Sequence, residues 1–417
     1  MTTYKECAVN TQSKAHATLS PSGAEKWMNC PGSVVLEQEH PESESSVYAD
    51  EGTAAHHLLA YCIDHRADPK SLIGRLILVD HGRAMWANVR DPDTDTRRFF
   101  EVSGDMAGYV GAALDVIHSY VGPEGASIVD SEQRLPISHL TGEKDAWGTA
   151  DVVVLCGGAL HVFDLKYGKG VFVNAVENKQ LRIYALAALE VYETFEEIHT
   201  VISVVLQPRM DNYTNEILTV EEIRAFGELV KIRAEICQQQ LAGKDELVFN
   251  VGEHCHDSFC KARAECPALK EHAIRAAEEA IRAIDDNVAN DELGVIAAMI
   301  PLAQKYFDQV QAKVTAEVLA GRDVPGFKAV LGREGNREWG DEGVVAELAK
   351  ELNIDDVYET KLMSPTKVLK LPLKKDVLES FEELVVRKPA SLTVVPESDK
   401  RPAVVVAPEN DFENLES

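Results

Sequence analysis

Residues 147–187 read WGTADVVVLCGGALHVFDLKYGKGVFVNAVENKQLRIYALA and carry the clearest structural pattern in the chain. Two apolar runs, residues 150–156 and 160–165, lie on either side of Gly157–Gly158. A glycine pair between two such runs predicts a β-hairpin with a tight turn. The segment KQLRIYALAALEVY that follows has the spacing of an apolar helix. The stretch therefore predicts two buried strands followed by a helix.

Three charged residues interrupt these apolar strands. Asp151 lies in the first strand, Asp164 ends the second, and Lys166 follows two residues later. Because side chains two residues apart point to the same face of a strand, Asp164 and Lys166 share a face. Charges there are costly unless they are compensated, and a divalent ion would compensate the carboxylates. One interpretation is a site for Mg²⁺ or Mn²⁺; the other is a pair of surface carboxylates at strand ends.

The helix adds two residues to this pattern. Gln180 and Tyr184 are four residues apart, so they lie on one helical face. The whole pattern is D-x12-D-x-K followed by Q-x3-Y. It resembles the catalytic core of the PD-(D/E)XK nuclease superfamily and, within it, the RecB-like branch. The resemblance implies an α/β, restriction-endonuclease-like core, in which a central mixed sheet is flanked by helices.

An earlier segment, ADEGTAAHHLLAYCI, matches another motif of the same branch. Gly52, Thr53 and His56 fit the pattern G-T-x-x-H, whose histidine joins the metal shell in the related enzymes. Neutral imidazole is a common metal ligand. His57 is the alternative, but it points about 100° away on a helix, so only one of the two histidines should face the site. Glu51 could also reach it.

Three cysteines lie close together in GEHCHDSFCKARAECPAL, residues 252–269, with two histidines among them. Cys255, Cys260 and Cys266 have the spacing C-x4-C-x5-C. Soft thiolates this close suit a metal centre, and zinc held by four of the cysteines and histidines is one option. Independent free thiols are the alternative.

The start of the chain resembles RecB-like nucleases that carry an iron–sulfur cluster. Residues 20–31, SPSGAEKWMNCP, contain Ser-x-Ser, a short predicted helix with an aromatic residue, and Cys-Pro. The resemblance implies that Cys30 and the three later cysteines hold a [4Fe–4S] cluster, which would staple the two ends of the domain together. The related enzymes usually have C-x2-C where this chain has C-x4-C. That departure leaves Cys255 the least certain ligand, with His254, His256 or a zinc site as alternatives.

Composition narrows the class of protein. The 417 residues are 45% hydrophobic and 27% charged, with a net charge of −27, which is typical of a soluble globular chain. No apolar run reaches the length of a membrane span and no signal-peptide pattern is visible, so we expect a cytoplasmic protein in a bacterial host cell and no membrane contact. A chain this acidic repels nucleic acid on average, so DNA would be bound through a local basic surface or bridging metal.

The resemblance also implies roles for the site residues. His56, Asp151 and Asp164 would hold Mg²⁺ or Mn²⁺, while Lys166 would position water or stabilise charge on the phosphate. Gln180 and Tyr184 would hold the DNA strand or Lys166 by hydrogen bonds. Glu132, in the strand SEQRLPI before the hairpin, is either an accessory acid or an exposed strand residue.

The implied function is a metal-dependent DNA exonuclease in phage DNA recombination, repair or processing. The chain resembles a phage- or prophage-encoded family of RecB-like nucleases, similar to AddB-type and CRISPR-associated exonuclease domains. Expected partners are single-stranded DNA or duplex ends, and a phage recombinase, helicase or single-strand-binding protein. The alternative function is a non-catalytic module that keeps the nuclease fold and binds DNA ends or a recombination partner. A third reading is a zinc-stapled structural protein in which the D…D-x-K pattern is fortuitous.

The predicted domains follow changes in composition along the chain. They are a flexible N-terminal arm, the nuclease domain with the cysteine cluster, a helical segment, a small α+β module and a disordered acidic tail. Their ranges are 1–17, 18–269, 270–322, 323–388 and 389–417.

Four further expectations concern local structure. Residues 64–105 are predicted to form a lid, a strand-binding wall or a packed insertion. The β-branched run at residues 199–207 predicts a strand beside the catalytic hairpin. Residues 268–319 predict two helices, with breaks near Asp285–Asn290 and at Pro301. Residues 326–339 predict a β-hairpin.

Overall fold

The structure is a computed structural model of the 417-residue chain. It describes residues 17–40, 45–87, 97–121, 125–285, 288–332, 337–352, 354, 363–371, 373–387, 392–396 and 401–404. The chain divides into two compact units, Met1–Ala303 and Gln304–Ser417. The finer domain boundaries stay predictions.

The described helices and strands follow one another along the chain. The helices are α1 (Ala24–Trp27), α2 (Ser33–Leu36), α3 (Val47–His65), α4 (Gly104–Ser119), α5 (Ser138–Thr141), α6 (Lys179–Tyr192), α7 (Val220–Leu241), α8 (His254–Asp257), α9 (Pro267–Asp285), α10 (Asn290–Leu319), α11 (Glu342–Glu351), α12 (Pro365–Val368) and α13 (Lys375–Glu382). The strands are β1 (Leu76–Asp80), β2 (Arg83–Ala87), β3 (Arg98–Glu101), β4 (Ile128–Pro136), β5 (Trp147–Cys156), β6 (Ala159–Leu165), β7 (Thr200–Leu206), β8 (Asn215–Thr219), β9 (Phe327–Leu331), β10 (Arg337–Trp339), β11 (Val385–Arg387) and β12 (Leu392–Pro396).

The first unit is built on a five-stranded sheet in the order β4-β5-β6-β7-β8. Strands β5 and β6 form the predicted hairpin, and its turn residues Gly157 and Gly158 have φ angles of 58° and 73°, as a two-residue turn of this kind requires. Strands β6 and β7 are parallel and joined by α6, whereas the other neighbours are antiparallel. The sheet is therefore mixed, and β7 lies beside the hairpin as predicted.

Side chains of β5 alternate between two apolar layers. Val153 and Leu155 pack in the layer that contains α6 and α7, whereas Val152 and Val154 pack in the layer that contains α3 and α4. Because both faces of the strand are covered, it reads as a continuous apolar run. Each fully buried valine or leucine contributes about 1.5–3 kcal/mol relative to an exposed one. The predicted α/β core, a mixed sheet flanked by helices, is confirmed.

A second sheet of the first unit, in the order β2-β1-β3, comes from the segment for which the sequence offered only a lid, a wall or an insertion. Both of its pairings are antiparallel. The turn between β1 and β2 is His81–Gly82, with φ angles of 46° and 71°. A glycine-containing pair between the apolar run LILVD and RAMWA was the signal for this hairpin. Residues 88–96 lie outside the described part.

The second unit contains helices and two short antiparallel ladders, β9 with β12 and β10 with β11. Its apolar core includes Val345, Val368 and Phe381. The predicted hairpin over 326–339 is wrong, because β9 and β10 each pair with a later strand rather than with each other. The β-branched segment Leu392–Pro396 provides the partner for β9, although it falls in the stretch for which the sequence predicts disorder. Residues 405–417 lie outside the described residues.

Helix α10 continues through Pro301. The break predicted at this proline is therefore wrong. A proline removes one helical hydrogen bond, and the remaining turns of this 30-residue helix are enough to carry the helix across that position. Within the described residues, none of the helices has both the length and the apolarity that crossing a bilayer needs.

Candidate active site

Two acidic side chains face each other on neighbouring strands of the central sheet. The register pairs Ser131 of β4 with Val152 of β5, so Glu132 lies opposite Asp151. Glu132 has a left-handed φ of 45°, which costs a non-glycine residue about 1–2 kcal/mol. Like charges directly opposite each other also destabilise a sheet. Glu132 thus combines a strained backbone conformation with a carboxylate that faces another carboxylate. Such a costly arrangement at one residue indicates a role in function and not in stability.

His56 of α3 reaches these carboxylates from one side of the sheet. Its Nδ1 lies 3.0 Å from Asp151 Oδ1, and Asp151 Oδ2 accepts a hydrogen bond of 2.6 Å from the backbone N–H of Leu165. Burial opposes the charged imidazolium, but the neighbouring carboxylates, Asp151 foremost, outweigh it and raise the pKa of His56 to about 9. Burial likewise opposes the Asp151 carboxylate, and His56 more than offsets this and lowers the pKa of Asp151.

These three side chains form a candidate cation site. The ligand atoms of His56, Glu132 and Asp151 all lie within 4.8 Å of one another. Burial and the nearby Asp151 raise the pKa of Glu132, which is the effect expected of two facing carboxylates and one that a bound cation would reverse. Carboxylate oxygens together with an imidazole nitrogen are ligands that bind Mg²⁺ and Mn²⁺ in proteins.

The second half of the site starts at the end of β6. Lys166 Nζ lies 2.9 Å from Asp164 Oδ2 and donates a hydrogen bond of 3.1 Å to Gln180 Oε1. Gln180 Nε2 in turn lies 3.4 Å from the hydroxyl of Tyr184. Burial opposes the charge on Lys166, but Asp164 outweighs it and raises the pKa of the lysine. Burial also raises the pKa of Asp164, and Lys166 only partly offsets this.

Leu165 connects the two halves of the site. It lies between Asp164 and Lys166 in sequence, and its backbone N–H is held by Asp151. The structure thus places the six side chains to which the sequence assigns a catalytic or metal-binding role in two groups joined at Leu165, His56 with Asp151 and Asp164 with Lys166, Gln180 and Tyr184. Asp164, predicted as a metal ligand, contacts Lys166, and among the described residues the close group of possible ligand atoms contains Glu132 in its place. Their roles stay predictions.

Glu51 and His57, which the sequence also offered for the site, make other contacts. Glu51 pairs with Arg209, whose Nη1 lies 2.9 Å from Glu51 Oε2. The ring of His57 packs edge-on against Trp86, with centroids 5.2 Å apart. Of the two adjacent histidines, His56 is the one that contacts Asp151.

An open cleft of about 640 Å³ is lined by His56, Glu132 and Asp151. One wall is α3, including Gly52 and Thr53 of the G-T-x-x-H motif, and another is the turn and start of β2, including Arg83. A Cβ at Gly52 would meet no atom within 4 Å, so this glycine keeps the cleft wide beside His56. The small sheet therefore forms a wall of the cleft. A wall was one of three roles that the sequence suggested for residues 64–105.

Gly148 allows the site helix to approach the sheet closely. A Cβ on this residue would lie 2.7 Å from Tyr184 Cε1 and 2.8 Å from Pro21 Cγ. Real Cβ atoms essentially never come this close. The absence of a side chain at Gly148 therefore sets the depth at which Tyr184 packs.

The cysteines lie elsewhere in the first unit, around one small cavity. Cys30 follows α1 near the start of the chain, whereas Cys255, Cys260 and Cys266 follow α7, and all four line this cavity. His254 also lines it, with its Nε2 3.0 Å from the backbone carbonyl of Asn250. Four cysteines that are spread over more than two hundred residues of the sequence thus lie around one cavity.

Burial controls the chemistry of these thiols. It raises the pKa of Cys30 and of Cys255, and it raises the pKa of Cys260 to about 12. Nearby thiols add to the effect at all three cysteines. In the absence of a positive ion these groups are therefore neutral thiols, whereas a metal ligand must be a thiolate.

Hydrogen bonds hold the two chain segments around this cavity together. The backbone N–H of Gly32 donates to the carbonyl of Val248 at 2.8 Å, and the side-chain amide Nδ2 of Asn250 donates to the backbone carbonyl of Asn29 at 2.6 Å. The segments that carry Cys30 and the later cysteines are thus adjacent through their own hydrogen bonds. A bound cluster would add to a contact that exists already.

Comparison with known proteins gives a family and two distant structural likenesses. A model of the family described as a protein of unknown function (DUF2800) matches residues 16–402 of the 417. The crystal structure titled "Putative exonuclease" from Eubacterium rectale aligns with a TM-score of 0.30 at 13% identity, over 57% of this chain and 87% of that chain. The crystal structure of SSO0001 aligns with a TM-score of 0.21 at 15% identity, over 57% of this chain and 95% of that chain. At this distance neither structure bears on chemistry, which has to be inferred from the side chains.

Proposed function

We propose that this chain, which belongs to the DUF2800 family, is a deoxyribonuclease that hydrolyses phosphodiester bonds with the help of Mg²⁺ or Mn²⁺. The observation that carries the proposal is the junction at Leu165. There, a cation site made of His56, Glu132 and Asp151 meets a lysine held ready by Asp164. Phosphodiester hydrolysis needs both parts, because negative charge accumulates on the phosphate in the transition state.

The donor set fits a divalent ion on three grounds. The ligand atoms of His56, Glu132 and Asp151 lie within 4.8 Å of one another, two of these groups are opposed carboxylates, and the carboxylates that raise the pKa of His56 would attract a metal ion to the same place, with loss of the imidazole proton on binding. These residues, with Asp164 beside them, would hold one or two ions. An ion there would polarise the phosphate and lower the pKa of a bound water.

Lys166 supplies the positive charge that belongs to the protein itself. Its ammonium group has three protons and contacts both carboxylate oxygens of Asp164 and Oε1 of Gln180. A phosphate oxygen or the attacking water would take over one of these protons. Because Asp164 raises the pKa of Lys166, the side chain stays protonated and acts by position and charge, not as a base. Tyr184 holds Gln180, and Gln180 holds Lys166.

The finer proposal is an exonuclease that acts in phage DNA recombination, repair or processing. Its support is the resemblance in the D…D-x-K and Q-x3-Y motifs. Its substrates would be single-stranded or duplex DNA ends, and a recombinase, helicase or single-strand-binding protein would be a natural partner. Comparing linear DNA with closed circular DNA distinguishes this from endonuclease action, because a circle offers no end.

We also propose that Cys30, Cys255, Cys260 and Cys266 hold a [4Fe–4S] cluster. The support is that the four thiols line one buried cavity. A single zinc with Zn–S bonds of about 2.3 Å requires sulfurs only ~3.8 Å apart. Among the described residues, the one group of three ligand atoms within 4.8 Å of one another is His56, Glu132 and Asp151, so no three of these sulfurs lie that close. A [4Fe–4S] cluster, whose cysteine sulfurs are farther apart than those around one zinc, is therefore the cofactor we propose.

The test of catalysis compares the native protein with Lys166→Gln. Each is incubated with end-labelled single- and double-stranded DNA in Mg²⁺, in Mn²⁺ and in EDTA. We expect cleavage by the native protein only with an ion, and a rate about a hundred- to a thousandfold lower for Lys166→Gln, the loss typical of a group that stabilises transition-state charge. The control is Lys244→Ala, which removes an exposed lysine after α7.

Melting curves of the three proteins show whether the change at Lys166 has disturbed the fold. If folded Lys166→Gln cleaves as fast as the native protein, the proposed role is wrong. If the native protein leaves every DNA substrate intact with either ion, the hydrolase proposal is wrong. The chain would then be better explained as a non-catalytic module that binds DNA ends or a recombination partner.

A further inference from the structure

A loop of residues 167–179 begins and ends in the proposed active site. Lys166 precedes it and Gln180 follows it, and these two side chains are joined by a hydrogen bond of 3.1 Å. The loop is thus closed at its base by a contact of the site. Phe172, near the middle of the loop, is six residues from Lys166 and therefore at most about 22 Å from it.

Three apolar residues on this loop are exposed to solvent. Val171 is 57% exposed, Phe172 58% and Val176 52%. Isolated exposed apolar residues are common in proteins. Val171 and Phe172 are adjacent, and they lie on a segment that two residues of the proposed site delimit.

The exposure does not come from a loosely held loop. Gln207, only 2% exposed, donates through Nε2 to the carbonyl of Val171 at 2.7 Å and accepts through Oε1 from the N–H of Val173 at 3.2 Å. Buried Asn212 donates to the carbonyl of Val173 at 2.7 Å. Buried amides thus fix the backbone on both sides of Phe172, and the ring is held out in a defined position.

The charge of the loop differs from that of the whole chain. The chain has 69 acidic and 42 basic residues. In contrast, the loop of residues 167–179 contains two basic residues, Lys169 and Lys179, and one acidic residue, Glu177. Lys179 pairs with Glu25. The part of the loop around Phe172, residues 168–176, therefore carries the positive charge of Lys169 and no negative charge, which suits a surface that follows a phosphate backbone.

We propose that Phe172 stacks against a nucleobase of single-stranded DNA and so positions the neighbouring phosphate at the active site. The inference rests on the proposed nuclease function and specifies its substrate as a single strand or an unpaired end. An exposed aromatic ring beside positive charge is the combination that single-strand-binding surfaces use, because every base has a face to stack. Bases inside a duplex already stack on one another and leave no face free.

The test measures binding of a fluorescent single-stranded oligothymidylate and a blunt duplex in Ca²⁺. Three variants are compared with the native protein: Phe172→Ala, Phe172→Trp, and Phe195→Ala as the matched control, whose ring is 69% exposed at the end of α6. We expect Phe172→Ala to bind the single strand about five- to a hundredfold more weakly, the range for one lost base stack. Phe172→Trp and Phe195→Ala should bind it as the native protein does, and duplex binding should stay unchanged.

A strand of the same length with abasic sites separates stacking from phosphate contact. The native protein should bind it more weakly than the oligothymidylate, whereas Phe172→Ala should bind the two equally. The inference is wrong if Phe172→Ala binds the oligothymidylate as tightly as the native protein. It is also wrong if the native protein binds no single strand, which is the result expected if the ring is a docking point for another protein. A further outcome separates this inference from the proposed function. If Phe172→Ala binds the single strand weakly but the native protein cleaves nothing in Mn²⁺, this inference is supported and the hydrolase proposal is wrong.

Discussion

The active site and the cysteine cavity both gather side chains from distant parts of the chain, but they do so in opposite ways. In the active site the charged groups already bind one another, His56 with Asp151 and Lys166 with Asp164. In the cysteine cavity, neutral thiols with raised pKa values, such as that of Cys30, line an apolar space. One region is a network of paired charges and the other is a set of protonated ligands.

This difference predicts what a bound metal would do in each place. In the active site the protein supplies partners for most charges, so an ion would change reactivity more than folding. In the cysteine cavity an ion or cluster would turn thiols into bonded thiolates, and its binding free energy would become folding free energy. The comparison fails if loss of the cysteine ligands alters catalysis first, or if loss of the acidic ligands unfolds the protein.

The largest effect is expected for Cys30→Ala in protein purified without oxygen. We expect the melting temperature to fall by about 10 °C or more, because a lost cluster removes several kcal/mol from folding. Iron content and visible absorbance should fall with it. The control is Cys62→Ala, a buried cysteine of the layer with α3 and α4, which should cost only a few degrees and leave iron unchanged. Equal losses in both variants, or zinc in place of iron, would contradict the cluster.

The next effect is expected for Glu132→Gln. If Glu132 holds an ion with His56 and Asp151, the variant should bind Mn²⁺ at least tenfold more weakly and cleave DNA about a hundredfold more slowly. Because Gln removes one of two opposed carboxylates, the melting temperature should stay the same or rise. Calorimetric titration with Mn²⁺ measures the affinity.

Glu190→Gln is the control for this change, since it removes an exposed carboxylate of α6 that pairs with His139. Its Mn²⁺ affinity should equal that of the native protein. If Glu132→Gln binds Mn²⁺ as tightly as the native protein, Glu132 is not a ligand. The cation site would then consist of the residues that the sequence selected, His56, Asp151 and Asp164.

The central sheet could be predicted because its hairpin and the helix that follows depend on short-range patterns, whereas the contact between His56 and Asp151 was expected only from the family resemblance. Gly157–Gly158 specifies the hairpin turn, and the four-residue spacing of Gln180 and Tyr184 specifies one helical face. Glu132 shows the limit of such patterns. Its position opposite Asp151 depends on the register of β4 against β5, and its left-handed φ has no sequence signature in a non-glycine residue.

The errors are of two kinds. Two are local: α10 continues through Pro301, and the small sheet beside the cleft was missed although His81–Gly82 marks its turn. The other is a pairing between distant segments. Residues 326–339 have the composition of a hairpin, yet β9 pairs with Leu392–Pro396, because a more distant β-branched segment competes for the same edge.

The smallest effect is expected for a matched pair of glycine substitutions. Gly148→Ala places a Cβ 2.7 Å from Tyr184 and 2.8 Å from Pro21, so we expect it to lower the free energy of unfolding by about 1–3 kcal/mol. Gly52→Ala adds a methyl group in open space within α3, so we expect it to raise the free energy of unfolding by up to about 1 kcal/mol. Urea unfolding of the metal-free proteins measures both.

The glycine pair also tests how independent the two regions are. Gly148 lies between Tyr184, which belongs to the active site, and Pro21, which belongs to the segment that leads to Cys30. If the regions are mechanically separate, Gly148→Ala should slow DNA cleavage through Tyr184 and leave the iron content unchanged. A loss of iron in this variant would mean that the N-terminal segment transmits strain from the site to the cysteines, because no cysteine has been touched. Gly52→Ala should leave iron unchanged in either case, since α3 supplies none of the four cysteines.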